Sequence, residues 1–395
     1  MEISSPYVGA FKPFNFRMPR DIVFGSGASG LLVEKVLGLG AKKPLFMTGE
    51  TMGKNKRMLT LSDSLSDVGM EPGHWGKIAP EPPVELLHEA VTFIREGGYD
   101  ALIAFGGGST MDFTKMAAVL AKYPDSDVET MIGIEKTPGR GLPTVMIPTT
   151  AGSGSEVASG AIFLFEKLKA KKGILSSHMI ADIVLVDPAL TLALPPGITA
   201  SSGMDALTHG VESYLSKNAS TLSQELALSS IKWISQSLSA CVNDGSDLEA
   251  REGQAYGSLL AGMAFSMSGT CGVHALAHAL GAQYHVPHGE ACTALLRAVT
   301  EFNIDGCEEK FVEVARVMGV YQSDMDEKQA AKAALDAMIK LGEDIGVKTK
   351  TRNFGVPKDA SAKLAKDAMS ETRLLGNNPR KMDEDTIREI FDRAW

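Results

Sequence analysis

The chain has 395 residues, with 39 Lys and Arg against 48 Asp and Glu, for a net charge of -9. That length accommodates two domains with a large buried core, and 44% hydrophobic with 22% charged residues is ordinary globular composition. The acidic balance excludes general nucleic-acid binding, which needs a basic excess to neutralise phosphates.

From the start of the chain, Met1 to Phe16 lacks a cationic region followed by an apolar core, so no signal peptide is expected. Short β-rich runs then alternate with helical patterns. Strands are predicted at Ile22–Phe24, Pro44–Thr48, Ala101–Phe105, Thr144–Ile147 and Ile183–Val186. Helices are predicted at Gly30–Leu39, Met52–Val68, Val84–Glu96 and Thr110–Lys122. This alternation predicts a parallel sheet wrapped by helices. The basic run Lys167, Lys169, Lys171, Lys172 is too short for a nucleic-acid stripe and reads as a solvated turn.

After Pro195-Pro196 the pattern turns helical: Thr199–Leu215, Ser220–Asn243, Leu248–Ser268, Gly272–Tyr284, Glu309–Val317, Glu327–Ile345 and Asp383–Ala394. The expected architecture is an α/β dinucleotide-binding domain over residues 1–190 and an all-helical domain over 191–395. A crevice between two such domains is where a small ligand is expected. No apolar run approaches the roughly 18 residues of a membrane helix. Cys241, Cys271, Cys292 and Cys307 show no CxxC pair, so free thiols and a cytoplasmic location are expected.

Three glycine-rich segments compete for a phosphate. Gly25-Ser-Gly27-Ala-Ser-Gly30 spells GxGxxG, with Glu50 twenty residues after Gly30. Its preceding strand is short, and a plain strand-to-helix turn is the preferred reading of it. Gly106-Gly107-Gly108-Ser109 follows a buried strand and opens a helix; consecutive glycines let backbone N–H groups approach an anion at a positive helix end. Thr149-Thr150-Ala151-Gly152-Ser153 also follows an apolar strand, and two such loops would converge at one end of the sheet.

Of eight histidines, four lie in the segment His274…His278…His285…His288. Upstream, Asp205 and His209 are four apart, one helical turn on the same face, and so are His274 and His278. Imidazoles on an Ala/Leu helix surface are costly to bury unless paired. Together these residues point to a divalent metal held by nitrogen and oxygen, for which Fe(II), Zn(II), Co(II) and Mn(II) are all suitable.

These motifs, with Gly376-Asn-Asn-Pro379-Arg380 near the end, resemble the iron-containing (group III) alcohol dehydrogenase family across essentially the whole chain. The resemblance implies a metal held by Asp205, His209, His274 and His288, with His278 beside it as a proton relay. It implies pyrophosphate on Gly106, Gly107, Gly108, Ser109, Thr149, Thr150 and Ser153, and Lys171 near the nicotinamide ribose. Phe265, just before the metal helix, would limit substrate size. The expected activity is hydride transfer between NAD(H) and a small alcohol or aldehyde, with one divalent metal, Fe2+ foremost and Zn2+ the alternative. A homodimer or larger homo-oligomer is expected, with neither nucleic acid nor membrane as partner.

The chain departs from the family at the adenosine end. Gly49 stands where many NAD-preferring members carry an Asp, and Glu81-Pro82 replaces the usual Asn-Pro. Glu50 is an adjacent source of charge, so NAD and NADP both stay open. A metal-dependent lyase or cyclase of the dehydroquinate synthase type is the rival reading, and a non-catalytic nucleotide- or metal-binding protein is a third.

Overall fold

The computed structural model describes residues 13–80, 82–165 and 170–395. The first part of the Met1 to Phe16 stretch, Glu81, and Lys167 and Lys169 of the basic run lie outside the described residues. The chain divides into two compact units, one of Arg17–Ala193 and one of Leu194–Trp395 together with the described part of the N-terminal segment up to Phe16, which the sequence reading puts in the α/β domain.

In the first unit, apolar runs form strands without an exposed residue: β2 (Pro44–Met47), β4 (Ala101–Gly106), β6 (Thr144–Pro148) and β9 (Ile183–Val186). Such complete burial is what parallel strands covered on both faces require. With β1 (Asp21–Phe24) and β3 (Gly73–Trp75) they make one parallel sheet in the order β1-β9-β6-β4-β2-β3. Successive side chains alternate between two cores: Leu45 and Met47 enter one, Phe46 the other. The flanking helices are α1 (Leu32–Gly38), α2 (Lys56–Asp67), α3 (Leu86–Glu96) and α4 (Gly108–Lys122).

A second sheet, β5 (Gly133–Ile134), β8 (Ala170–Leu175) and β7 (Gly160–Phe165), is absent from the sequence reading. Here the basic run is corrected. Lys171 and Lys172 lie in β8, paired antiparallel with Leu164 and Phe163, and Lys171 is buried. Adjacent lysines hide a strand from a reading based on apolar runs.

The second unit is helical: α5 (Pro196–Leu215), α6 (Thr221–Asn243), α7 (Leu248–Ser268), α8 (Gly272–Tyr284), α9 (His288–Ile304), α10 (Glu308–Val317), α11 (Glu327–Asp344), α12 (Ser361–Ala368), α13 (Thr372–Asn377) and α14 (Glu384–Ala394). One continuous core runs through it, from Met204 and Leu207 to Ile390 and Phe391. The sequence reading lacks α9, α12 and α13; α9 opens on polar residues after Pro287, which masks its period. Among the described residues no single helix is long and apolar enough to cross a membrane, and α7 and α8 are bent by 100° at their junction. Gly269, at φ +72°, makes that turn in a backbone region side chains disfavour.

The early GxGxxG turn is occupied by the protein itself. Buried Asp187 accepts from Gly27 N at 2.9 Å, Ser29 N at 3.3 Å and Ser29 Oγ at 2.6 Å. These N–H groups already face a carboxylate, whose charge repels a phosphate. Asp187→Ala should therefore lower stability by about 2–3 kcal/mol, from charged hydrogen bonds lost and donors stranded, with dinucleotide affinity nearly unchanged. Denaturant midpoints and dinucleotide titration check this; unchanged stability with lost affinity would return the phosphate to Gly25–Gly30.

Candidate functional site

In the α/β unit, β6, β4 and β2 are adjacent and parallel, so the segments leaving their carboxyl ends lie side by side. Those segments are Thr149–Ser153, Gly106–Ser109 and the Thr48–Glu50 turn. Open parallel sheets bind ligands at these ends. Thr149 N donates to Gly106 O at 3.0 Å. A Cβ added at Gly108 would stand 2.8 Å from Ser153 Cβ, and one at Gly107 would stand 3.2 Å from Thr150 Oγ1. The glycine loop and the Thr150–Ser153 loop thus pack backbone to side chain without room for another substituent. No side-chain hydrogen bond caps α4 at Gly107, and a helix start carries partial positive charge.

A buried lysine that sequence reasoning passed over fastens this arrangement. Lys115 Nζ donates to Ser155 Oγ and Gly160 O, each at 2.9 Å, while Asp112 accepts from Ser155 Oγ and from Ile162 N. Burial pulls the Lys115 ammonium down from its ordinary value, against the pull of Asp112 and Glu156. Burial likewise pushes Glu156 up to about 7. Gly49 lies just beyond β2, where an added Cβ would meet the Ile78 carbonyl oxygen at 2.8 Å. A carboxylate there requires the backbone to move, which gives a packing reason for glycine. Glu50 is exposed and paired with Lys54 at 3.1 Å.

In the helical unit, α5 carries Asp205 and His209 one turn apart, α8 carries His274 and His278, and α9 begins at His288. Asp205 Oδ1 lies 3.7 Å from His274 Nε2 and 3.6 Å from His288 Nε2, and Asp205 Oδ2 lies 4.0 Å from His209 Nδ1. His209 stacks between Phe265 and His274, with ring centroids 4.6 and 4.5 Å away. His278 lies 5.8 Å from His288 by ring centroids, its Nδ1 3.5 Å from Glu371 Oε2. Donor atoms of Asp205, His274, His288 and Cys292 all fall within 4.8 Å of one another.

Whether these residues suit a cation is tested by the buried atoms they leave over. Asp205 Oδ1 and His274 Nε2 are buried without a hydrogen-bond partner, an expensive arrangement unless something positive completes them. Burial raises Asp205, yet His209, His288 and His274 outweigh it and hold the carboxyl below its usual range. Burial lowers His274, yet Cys292, Asp205 and Glu212 hold it well above the ordinary imidazole value. The cluster stabilises positive charge. It fits a divalent ion.

Glu212, also absent from the sequence reading, orients His274. Its carboxylate accepts from His274 Nδ1 at 2.7 Å and from the backbone N–H groups of Cys271 and Val273 at 2.8 and 2.5 Å. The Nδ1–H donates to this carboxylate, which leaves Nε2 as the ring nitrogen turned toward Asp205. A signal existed: Asp205, His209 and Glu212 fall at i, i+4 and i+7 on one face of α5.

Family models match both parts of the chain: iron-containing alcohol dehydrogenase over residues 19–188, and the C-terminal region of the Fe-containing alcohol dehydrogenase family over 199–395. The chain belongs to the iron-containing alcohol dehydrogenase family. It is an oxidoreductase acting on the CH–OH group, and the dehydroquinate synthase-type rival is set aside. This family member is 38% identical to long-chain-alcohol dehydrogenase 1 of Geobacillus thermodenitrificans over 94% of each chain. It superposes on 1,3-propanediol oxidoreductase with a TM-score of 0.94 at 33% identity, covering 97% of this chain and 100% of that one. Sulfoacetaldehyde reductase from Bifidobacterium kashiwanohense, solved with NAD+, gives 0.88 at 28% identity, covering 97% and 99%.

Glu212→Gln keeps the size of the side chain and removes its charge. It should weaken metal retention by roughly 10–100-fold while the helical circular dichroism is preserved. Metal content after dialysis against graded chelator measures this; wild-type retention would remove Glu212 from any role at the metal.

Proposed function

We propose that the chain interconverts a small alcohol and its aldehyde, with NAD(H) as hydride carrier and one divalent metal held by Asp205, His209, His274 and His288. The observation that carries this reading is the buried pair Asp205 Oδ1 and His274 Nε2, 3.7 Å apart and lacking hydrogen-bond partners. When bound, the metal supplies Lewis-acid polarisation of the substrate oxygen, the dinucleotide takes up the redox equivalent, and neither role falls to a side chain.

The chain's own residues bind, orient and move a proton. Gly106, Gly107, Gly108, Ser109, Thr149, Thr150 and Ser153 receive the pyrophosphate, and Lys171 the nicotinamide ribose. His278 accepts the alcohol proton on its ring, whose Nδ1 stands 3.5 Å from Glu371 Oε2. Phe265, held by its stack on His209, limits the width of substrate admitted. The cytoplasmic, homo-oligomeric state belongs to the same reading: the four cysteines are buried free thiols, and Ile198, Trp233 and Leu248 leave apolar surface exposed.

His288→Ala should lose stoichiometric metal and cut turnover to below about a hundredth of wild type. His278→Ala should keep its metal and still lose turnover. Metal analysis beside NADH oxidation with short aldehydes separates the roles; metal loss in the second variant, or retention in the first, overturns the assignment.

NAD is the preferred dinucleotide, with NADP accepted more slowly, because Glu50 stands by the β2 turn where a 2′-phosphate would meet like charge. Glu50→Gln should raise kcat/KM for NADPH relative to NADH a few-fold, the scale of one charge contact in water. A wild-type preference for NADPH, or an unchanged ratio in the variant, would refute this.

A further inference from the structure

β3 is the edge strand of the parallel sheet, and it carries His74 opposite Phe46 of β2. The sequence reading gives this histidine no role. Side chains alternate along a strand, so Thr48, two residues past Phe46, lies on the same face. Thr48 Oγ1 and His74 Nε2 share a hydrogen bond of 2.7 Å. Thr48 is fully buried, and burial draws the imidazole below its ordinary value. The ring is therefore neutral at pH 7 and offers a 2′-phosphate no counter-charge. The bland role for the pair is to close the sheet edge. Backbone bonds already do that: Thr48 N donates to Trp75 O at 3.0 Å, and Ile78 N to Thr48 O at 3.2 Å.

What the pair grips besides is the turn that leaves β2. It is wedged between two glycines from separate segments: a Cβ at Gly53 would strike the His74 ring, and one at Gly76 would stand 2.8 Å from His74 Cε1. Gly53 N in turn donates to Gly49 O at 2.9 Å. The backbone from Thr48 to Gly53 thus rests on the imidazole without an intervening side chain. No side-chain hydrogen bond caps the single helical turn Met52–Lys54 within this stretch, and Glu50 is exposed. β2 is the neighbour of β4, so the turn leaves the same end of the sheet as Gly106–Ser109, where open parallel sheets bind ligands.

We propose that His74 is a positioning residue for the adenosine end of the dinucleotide: its Nε2 bond to Thr48 fixes the turn from Thr48 to Gly53, whose backbone takes the ribose in place of a carboxylate at Gly49. This rests on the dinucleotide reading above and adds a residue to it. A binding turn holds its geometry only when packing and hydrogen bonds beneath it do so. Here both come from one imidazole, and glycine at 53 and 76 makes the room for it.

The test is titration of the full-length protein with ADP-ribose, a probe that needs neither metal nor turnover, beside NADH kinetics with a short aldehyde. A Gln amide nitrogen can stand where His Nε2 stands, whereas an Asn amide falls short of it. His74→Asn should weaken ADP-ribose binding and raise KM for NADH together, by roughly fivefold, the scale of one neutral hydrogen bond, with a far smaller change in kcat. His74→Gln should recover most of the affinity. Thr48→Val removes the hydroxyl, keeps the shape and should repeat the loss; it decides the matter if His74→Asn does not fold. ADP-ribose bound as tightly by His74→Asn as by wild type overturns the role of His74 and leaves the dinucleotide reading standing. A His74→Gln protein as weak as His74→Asn also overturns it, because the Nε2 bond is then not what holds the turn. Wild type that fails to bind ADP-ribose overturns both readings.

Discussion

Where α5 meets the start of α8, the Glu212 carboxylate is buried among backbone donors and one imidazole. Removing a carboxylate from water costs several kcal/mol unless hydrogen bonds replace its hydration. Here the replacement comes from the N-terminal N–H groups of α8, which have no partner within their own helix, and from His274 Nδ1. One group therefore fixes the position of α8, the tautomer of His274 and the direction of its Nε2. Asp205 and His209 ride on the same helix as Glu212, so the α5 and α8 members of the cluster are held in register by a shared charge. α9 adds His288 at its first residue, where rigid helical backbone limits its drift.

The α/β unit solves a different problem with similar means. There the backbone of one loop packs against the side chains of the other. Glycine at 106, 107 and 108 removes side chains that would strike Thr110, Thr150 and Ser153. The opposing loop is then pinned from below by Lys115, Asp112 and Ser155. By contrast, the turn at Gly25–Gly30 is filled by Asp187 and further tied by Arg57, which donates to Ser29 Oγ. Two glycine-rich turns of similar spelling thus differ in what faces them: a carboxylate in one case, an uncapped helix end in the other.

The buried cluster of Asp205 and its imidazoles carries a local cost in stability. A helical core built from Ala, Leu and Ile would gain by replacing Asp205 and its imidazoles with apolar side chains. Instead the core retains buried acceptor atoms without hydrogen-bond partners, a condition that ion binding relieves and that links metal occupancy to folded-state stability. Phe265, stacked on His209, packs apolar surface against this polar cluster.

The sequence by itself determined the parallel sheet, the helical second half, and the one-turn spacings of Asp205 with His209 and of His274 with His278; that His274 turns to Asp205 and Glu212 while His278 stands by Glu371 was decided by the tertiary structure. Each feature legible in the sequence depends on periodicity within one element, whether a run buried on both faces or a spacing of four on a helix. The glycine triplet was legible for the same reason, as a strand-to-helix junction. The β7–β8 strand pair was not, because Lys171 and Lys172 interrupt the apolar pattern and the partner strand is needed to explain their burial. Glu212 lies 62 residues from His274 and Asp187 lies 158 from Ser29; such contacts leave no local spacing to read. Tertiary structure alone decided which polar side chains share a buried space, because the cost of burying each depends on partners that arrive from other elements.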